Sequence, residues 1–388
     1  MKPELSFPEF NREWDYNLFS EIVTNKSKRF DPKNEESLKD IELDSIEQNT
    51  GRLLNTYMSK DFTSQKNKFD KGSVLYSKLR PYLNKYYYAK IDGVCSSEIW
   101  VLNSLYSQKL SNLFLYYFIQ TNRFSNVANK SAGSKMPRAD WSLVENIRLY
   151  KGSIEEQRKI GDFFSKLDQQ IELEEQKLVK LEEQKKGYMQ KLFSQEIRFK
   201  DNQGNNYPDW KIVEIGDILE ERTERSGEGD MLSVTINNGI IKFDEIDRKD
   251  NSSKDKSNYR KVYKDDIAYN SMRMWQGASG KSEYEGIVSP AYTVTIPSEN
   301  INPDFIAYYF KTHKMIHKFK INSQGLTSDT WNLKYRQLKD IKLNLCSKEE
   351  QNKIANLLIM YDKLINKQKH KLEILKTNKK GFLQKMFV

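Results

Sequence analysis

At 388 residues the chain is long enough for two or three domains and too long for one simple core. Sixty-four Lys and Arg against 54 Asp and Glu give a net charge of +10, and the apolar share is only 37%, yet 12% aromatic residues exclude a disordered tail. The two cysteines, Cys95 and Cys346, exclude a disulfide scaffold and a four-Cys metal site. A basic, Tyr-rich surface points to an anionic polymer as partner. The start, MKPELSFPEF, has no apolar run behind its Lys, and the apolar stretch near 113–119 falls far short of the roughly 18 residues that span a bilayer. A soluble, cytoplasmic chain is expected.

In chain order, the first unit carries short buried strands at Val74-Leu75-Tyr76 and 99–102, entered from turn-like Lys-Gly, and a helical stretch at 110–121. A long helix follows. From Ile160 to Leu192 the positions 160, 164, 167, 171, 174, 178, 181, 185, 188 and 192 step by fours and threes, as a coiled-coil seam requires. Residues 200–208 (KDNQGNNYP) read as a linker. The second unit repeats the order: strands at Ile267-Ala268-Tyr269 and 292–296, a helix over 304–317 opened by Asn302-Pro303, and a second long helix with the same seam from 354 to 386.

The repeat is the informative feature. Glu155-Glu156-Gln157 recurs as Glu349-Glu350-Gln351, and at that offset of 194 residues 155–193 and 349–387 share 16 identities in 39 positions. Chance would give roughly two or three. Between the helices the match is looser: Trp14 answers to Trp210, 71–80 (KGSVLYSKLR) to 264–273 (KDDIAYNSMR), and Tyr116-Tyr117-Phe118 to Tyr308-Tyr309-Phe310.

Both seams are polar at the same two places, Glu174 and Lys185 in one helix, Gln368 and Lys379 in the other. An antiparallel register in which residue numbers sum to 553 satisfies them: Glu174 faces Lys379 and Lys185 faces Gln368. Ile171 then meets Phe382, Leu178 meets Leu375, Leu181 meets Leu372, and Tyr188 meets Ile365. A parallel pairing sets Lys185 against Lys379. The seam is about 48 Å long at about 1.5 Å per residue, against about 34–36 Å for one turn of B-DNA.

Catalytic motifs fail one by one. Gly280-Lys281-Ser282 lacks the first Gly of a phosphate loop, since Trp275 stands there. His313 and His317 have Lys314 where a zinc protease needs Glu. Asn302-Pro303-Asp304-Phe305 approaches the Asn-Pro-Pro-aromatic pattern of amino-methyltransferases, but Asp304 replaces the second Pro and the segment reads better as a helix start. What remains is basic loops with aromatics. Lys78, Arg80, Tyr82 and Lys85 lie in one, and Ser134, Lys135 and Arg138 in a second near the end of the same unit. Arg273, Trp275, Gln276 and Lys281 are their counterparts in the second unit, with Gln324, Thr327 and Ser328 near its end. Arg suits guanine edges and Gln adenine edges, while the rings stack. These residues are the candidate DNA contacts.

The FPEF…W opening at 7–14, the YPDW restart at 207–210, the SKLRPYLNK segment and the twin EEQ-K-I helices ending in KKG resemble the specificity subunits of type I restriction-modification systems. The resemblance implies an α+β chain of two α/β target-recognition domains, 1–152 and 199–346, separated by two long helices, 153–198 and 347–388, that form an antiparallel coiled coil with pseudo-two-fold symmetry. It implies no catalysis and no cofactor in this chain. The expected partners are double-stranded DNA, two methyltransferase subunits that bring S-adenosylmethionine, and restriction (motor-nuclease) subunits that use ATP and Mg; no membrane is involved. The alternative is a self-contained DNA methyltransferase or nuclease, which would act without partners. If the helices set the gap between half-sites, four residues inserted after Leu181 add about 6 Å. Sequencing methylated sites should then find the spacer longer by one or two base pairs and the bases read unchanged.

Overall fold

The computed structural model describes residues 1–130, 136–245 and 255–388, and its chain divides into two compact units, 1–176 with 370–388, and 177–369. Each unit holds one globular head, the near half of the long helix that follows it, and the far half of the other long helix. The helices run Ile154–Phe193 and Lys348–Met386.

In the first unit a four-stranded antiparallel sheet has the order Val23–Thr24, Ile99–Ser104, Val74–Ser77, Tyr86–Tyr88. A five-stranded sheet stands beside it, with Lys39–Ile41 parallel to Gly93–Ser96. The second unit has the matching four-stranded sheet, Leu219–Glu221, Tyr292–Pro297, Ile267–Asn270, Ser279–Lys281, accompanied by two two-stranded ribbons. Each head is closed by pairing its first strand with the strand that leads into the long helix: Asp15–Leu18 with Arg148–Lys151, and Lys211–Glu214 with Lys342–Leu345. The head therefore sits at the helix start.

The duplicated Glu-Glu-Gln anchors it there. Glu156, buried, accepts a hydrogen bond from the Trp14 indole at 3.0 Å, and Glu350, buried, accepts from Trp210 at 3.1 Å. Burial pushes the Glu156 carboxyl above its usual range, with the Trp14 bond acting against it. Gln157 accepts from the Ser111 amide and Gln351 from the Asn302 amide, which ties the start of each head's own helix to the long helix.

Those two bonds also correct the alignment of the repeats. Ser111 and Asn302 are equivalent caps, so Tyr117 corresponds to Tyr308, one residue away from the match suggested by the shared Tyr-Tyr-Phe. The single helix expected over 304–317 is two, Pro303–Phe310 and His313–Asn322. Thr312 breaks it, because its hydroxyl accepts from the Met315 amide and caps the second helix. The stretch 110–121 is helical only over Asn112–Phe118, and a further helix, Asn122–Ala128, follows.

The long helices are antiparallel within each unit, but not in the expected register. In the first unit Phe163 packs on Phe382, Asp168 pairs with Lys379 at 2.7 Å, and Glu174 pairs with Lys371. In the second, Lys185 pairs with Asp362 at 2.6 Å and Tyr188 stacks by Tyr361. These pairs sum to between 545 and 549, so the seam meets at 546, one heptad from 553. The Glu174–Lys379 pairing is thus replaced by Glu174–Lys371, and Lys185 turns to Asp362 instead of Gln368. Leu178–Leu375 and Leu181–Leu372 shift with the same heptad, as do Ile171–Phe382 and Tyr188–Ile365. The reason is apolar overlap. At 553, Ile160, Phe164, Ile354 and Leu358 would face no residue of the other helix. All four are instead buried, the first two with Leu383, Met386 and Phe387, the others with Leu192 and Phe193. Four large buried side chains outweigh a matched polar layer.

The observed register makes a clear forecast. Lys379→Glu sets an acid against Asp168 in a half-buried site and should cost about 2–3 kcal/mol. Lys371→Glu, at an exposed pair, should cost no more than about 1 kcal/mol. Denaturant unfolding of the two variants compares them directly; equal losses would favour the 553 register.

Candidate nucleic-acid interface

In each head the two loops singled out by composition come together beside the middle strand of the four-stranded sheet. In the first, the strand Val74–Ser77 runs out into 78–85, and this loop pairs with the end of the other: Leu79 bridges Arg138, the Arg80 amide donates to the Pro137 carbonyl, and Ala139 donates to Lys78. In the second, the strand Ile267–Asn270 runs out into 271–277, and the Leu333 amide donates to the Ser271 carbonyl. Trp275 lies edge-on to Trp331 at 5.2 Å. The same two-loop surface is built twice.

The side chains on it divide by what they already hold. Arg80, Tyr82, Gln324, Thr327 and Ser328 are exposed. Arg80 has φ +51° and Asn84 φ +46°, flanking the single turn Pro81–Leu83. An Arg in the left-handed region is strained, and such strain gathers at functional sites. Lys78, Arg273, Trp275 and Gln276 are half-buried. Trp275 donates its indole N–H to the Met272 carbonyl at 3.1 Å, which leaves a ring face as its remaining capacity for stacking.

Three candidates are committed to partners inside the chain. Lys85 donates to the Leu43 carbonyl. Arg138 grips Glu98 through Nε at 2.9 Å, and the carboxylate raises its pKa. Lys281 lies among Glu283 at 2.7 Å, Asp304 at 3.0 Å and Asp265 at 3.5 Å. Burial acts against its charge, but the bonds to Glu283 and Asp304 prevail and hold the ammonium above its usual range. Ser134 and Lys135 lie outside the described residues.

The pattern of the type I restriction modification DNA specificity domain matches residues 11–183 and again 207–376. The chain belongs to this family. It is 28% identical over 156 residues to the EcoDI type I restriction enzyme specificity subunit of Escherichia coli, covering 39% of this chain and 34% of that protein, so the match spans about a third of the relative's length. The type I restriction-modification S subunit from M. genitalium superposes with a TM-score of 0.59 at 16% identity over 100% of this chain and 99% of that one. The HsdS subunit from Thermoanaerobacter tengcongensis gives 0.52 at 16% identity over 97% of each. These two likenesses speak for the fold.

Two features of this specificity-domain chain were invisible in its composition. The loop around Asn49-Thr50-Gly51 braces 78–85: the Asn49 amide donates to the Asn84 carbonyl, and the Asn84 side chain to Asn49 Oδ1. The turn signal of Asn-x-Gly was its only advertisement. In the second head Lys311 donates to the carbonyls of Ile236 at 2.7 Å and Gly277 at 2.6 Å, so one ammonium joins a ribbon turn to the end of the 274–276 turn. Gly277 has φ +84°, which a side chain would resist. Among the described residues no group of three or more His, Cys, Asp or Glu stands positioned to hold a metal ion. No helix there is long and apolar enough to cross a membrane.

Burial pushes the Lys311 ammonium down to about 8. Its folded pKa lies below the unfolded value, so between pH 8 and about 10.4 the unfolded chain holds a proton that the folded one has released, and stability rises with pH. Lys311→Met should remove that rise. Paired urea titrations at pH 8 and pH 10 test it; an identical pH slope in both proteins would contradict it.

Proposed function

We propose that this chain is the DNA-specificity subunit of a type I restriction-modification complex, in which each head reads one half of a bipartite target. The observation that carries this is the duplicated two-loop surface on heads whose supporting helices match while the loops differ. The helices repeat because they do the same work twice. The loops diverge because they meet different bases. Arg80 and Tyr82 in the first head and Arg273, Trp275 and Gln276 in the second supply base-edge donors and stacking rings. Gln324, Thr327 and Ser328 serve as phosphate or edge contacts in the second head, Ser134 and Lys135 are assigned the same role in the first from their place in the sequence, and Arg138, held by Glu98, shapes its loop. Lys78 contributes positive charge, while Lys85, held by the Leu43 carbonyl, and Lys281, held by Glu283 and Asp304, keep the loops in shape.

On this reading the chain supplies recognition and no chemistry. Two methyltransferase subunits dock on the helical regions and bring S-adenosylmethionine, and the adenine to be modified leaves the helix to reach them. Motor-nuclease subunits with ATP and Mg complete the restriction complex, and the whole works in the cytoplasm.

Replacing residues 15–150 by those of another family member should change one half of the methylated sequence and leave the other half and the spacer intact. Genome-wide mapping of methylated adenines reads this directly. Simultaneous change of both half-sites would reject the modular reading, and methylation or cleavage by the purified chain alone would favour the self-contained enzyme.

A further inference from the structure

The two seam lysines do not serve the seam. In the first unit Lys379 lies 2.7 Å from Asp168 Oδ1, and the other carboxylate oxygen accepts the Tyr117 hydroxyl at 3.0 Å. In the second, Lys185 lies 2.6 Å from Asp362 Oδ1, and Oδ2 accepts the Tyr308 hydroxyl at 2.5 Å. Each ammonium also sits near the ring of its tyrosine, 5.8 Å from Tyr117 and 4.9 Å from Tyr308. The three members come from three segments: the tyrosine from the head, the aspartate from the long helix after it, and the lysine from the other long helix. Identical atoms make identical bonds in both units, although the surrounding head sequences have diverged.

Beyond the Glu156, Gln157, Glu350 and Gln351 anchors at the helix starts, apolar packing supplies much of the contact between head and helices. Phe387 lies against Phe114, Phe118 and Phe164 in the first unit, and Phe193 against Phe305 and Tyr309 in the second. Such contacts hold a head on but are non-directional. Around Tyr117, Asp168 and Lys379 the packing opens into a cleft of about 670 Å³. Across that gap the triad, with Gln120 accepting from Lys379 at 3.2 Å, and the Arg52–Glu175 ion pair at 2.6 Å are directional links, and the triad is the one that recurs in the second unit. Burial and the adjacent aspartate push both phenols upward, so each hydroxyl stays a donor.

We infer that the triads Tyr117–Asp168–Lys379 and Tyr308–Asp362–Lys185 are positioning groups that fix the angle of each head on the helix pair and thereby restrict the complex to one spacer length. The inference rests on the two-headed DNA reading above. The anchors at the helix start fix each head at one end only and leave it able to pivot about its base; the triad, further along the helix, pins it. None of the six residues lies in the recognition loops, so the bases read should not depend on them.

The test uses the full chain assembled with its methyltransferase subunits. Adenine methylation rates are compared on duplexes carrying the mapped half-sites with the native spacer and with one base pair more or fewer. Asp168→Asn or Asp362→Asn should lower the preference for the native spacer roughly tenfold, the worth of one charge-assisted hydrogen bond. Base preference within each half-site should stay at the wild-type value. Tyr117→Phe with Tyr308→Phe, a milder change that keeps the rings, should lower the spacer preference several-fold, and Lys379→Arg should keep it. Unchanged spacer preference in the assembled double Tyr→Phe complex, even with a lower melting temperature, would mean that the triads only stabilise and would overturn the inference. A wild-type complex that methylates without bipartite specificity would overturn the DNA reading itself, and the inference with it.

Discussion

Each globular head completes its core with the far end of the other repeat's helix. Leu383, Met386 and Phe387 are buried with Phe114, Phe118, Ile160 and Phe164, and Leu192 and Phe193 with Phe305, Ile354 and Leu358. The first unit is discontinuous in sequence, with 370–388 joined to 1–176, while the second runs unbroken from 177 to 369 and takes in the end of the first long helix. Antiparallel pairing of the long helices is therefore the condition for both cores. A chain that paired its helices in parallel would leave two rows of aromatic side chains exposed, a cost of many kcal/mol at about 1.5–3 kcal/mol for each large apolar side chain.

The same constraint sorts the polar residues. Trp14 with Glu156 and Trp210 with Glu350 close the base of each head where it meets the helix. Arg198 adds a 2.8 Å bond to Glu350, so the second carboxylate is held by a charge as well as an indole. On the flanks of the helix pair the first helix supplies acids and the second lysines, Glu175 with Lys376 at 2.6 Å and Glu182 with Lys369 at 3.1 Å. Exposed pairs of this kind add little stability. Their arrangement favours pairing the two different helices over pairing either with its own kind, since Glu175 and Glu182, or Lys369 and Lys376, would otherwise meet.

The surface proposed for recognition is the part in which the two heads differ most. The sheets and the helix-start anchors are shared by both heads, while the loops that leave the strands Val74–Ser77 and Ile267–Asn270 differ in turn, in strain and in internal partners. The first rests on left-handed Arg80 and Asn84, the second on Gly277 and the Lys311 ammonium. A rigid scaffold with free loop ends is how binding specificity changes without loss of fold.

The amino-acid sequence by itself determined the duplication, the two long helices and the strands from which the candidate loops leave, because periodicity and repeated motifs are local signals that survive without three-dimensional information. The register of the helix pair was decided only in the folded chain. Matching Glu174 with Lys379 and Lys185 with Gln368 treats the seam as two helices alone, whereas the heads bury Ile160, Phe164, Ile354 and Leu358 together with the far helix ends, and the register that does so brings both lysines to Asp168 and Asp362. The equivalence of Tyr117 and Tyr308 was hidden for a related reason: identity of letters favoured a frame one residue off, and only the bonds of Gln157 and Gln351 to the two helix starts set it right. The partners of Lys85, Arg138 and Lys281 were equally out of reach, since Leu43, Glu98 and Asp304 are distant in sequence and the free energy of a charge depends on what lies beside it in space.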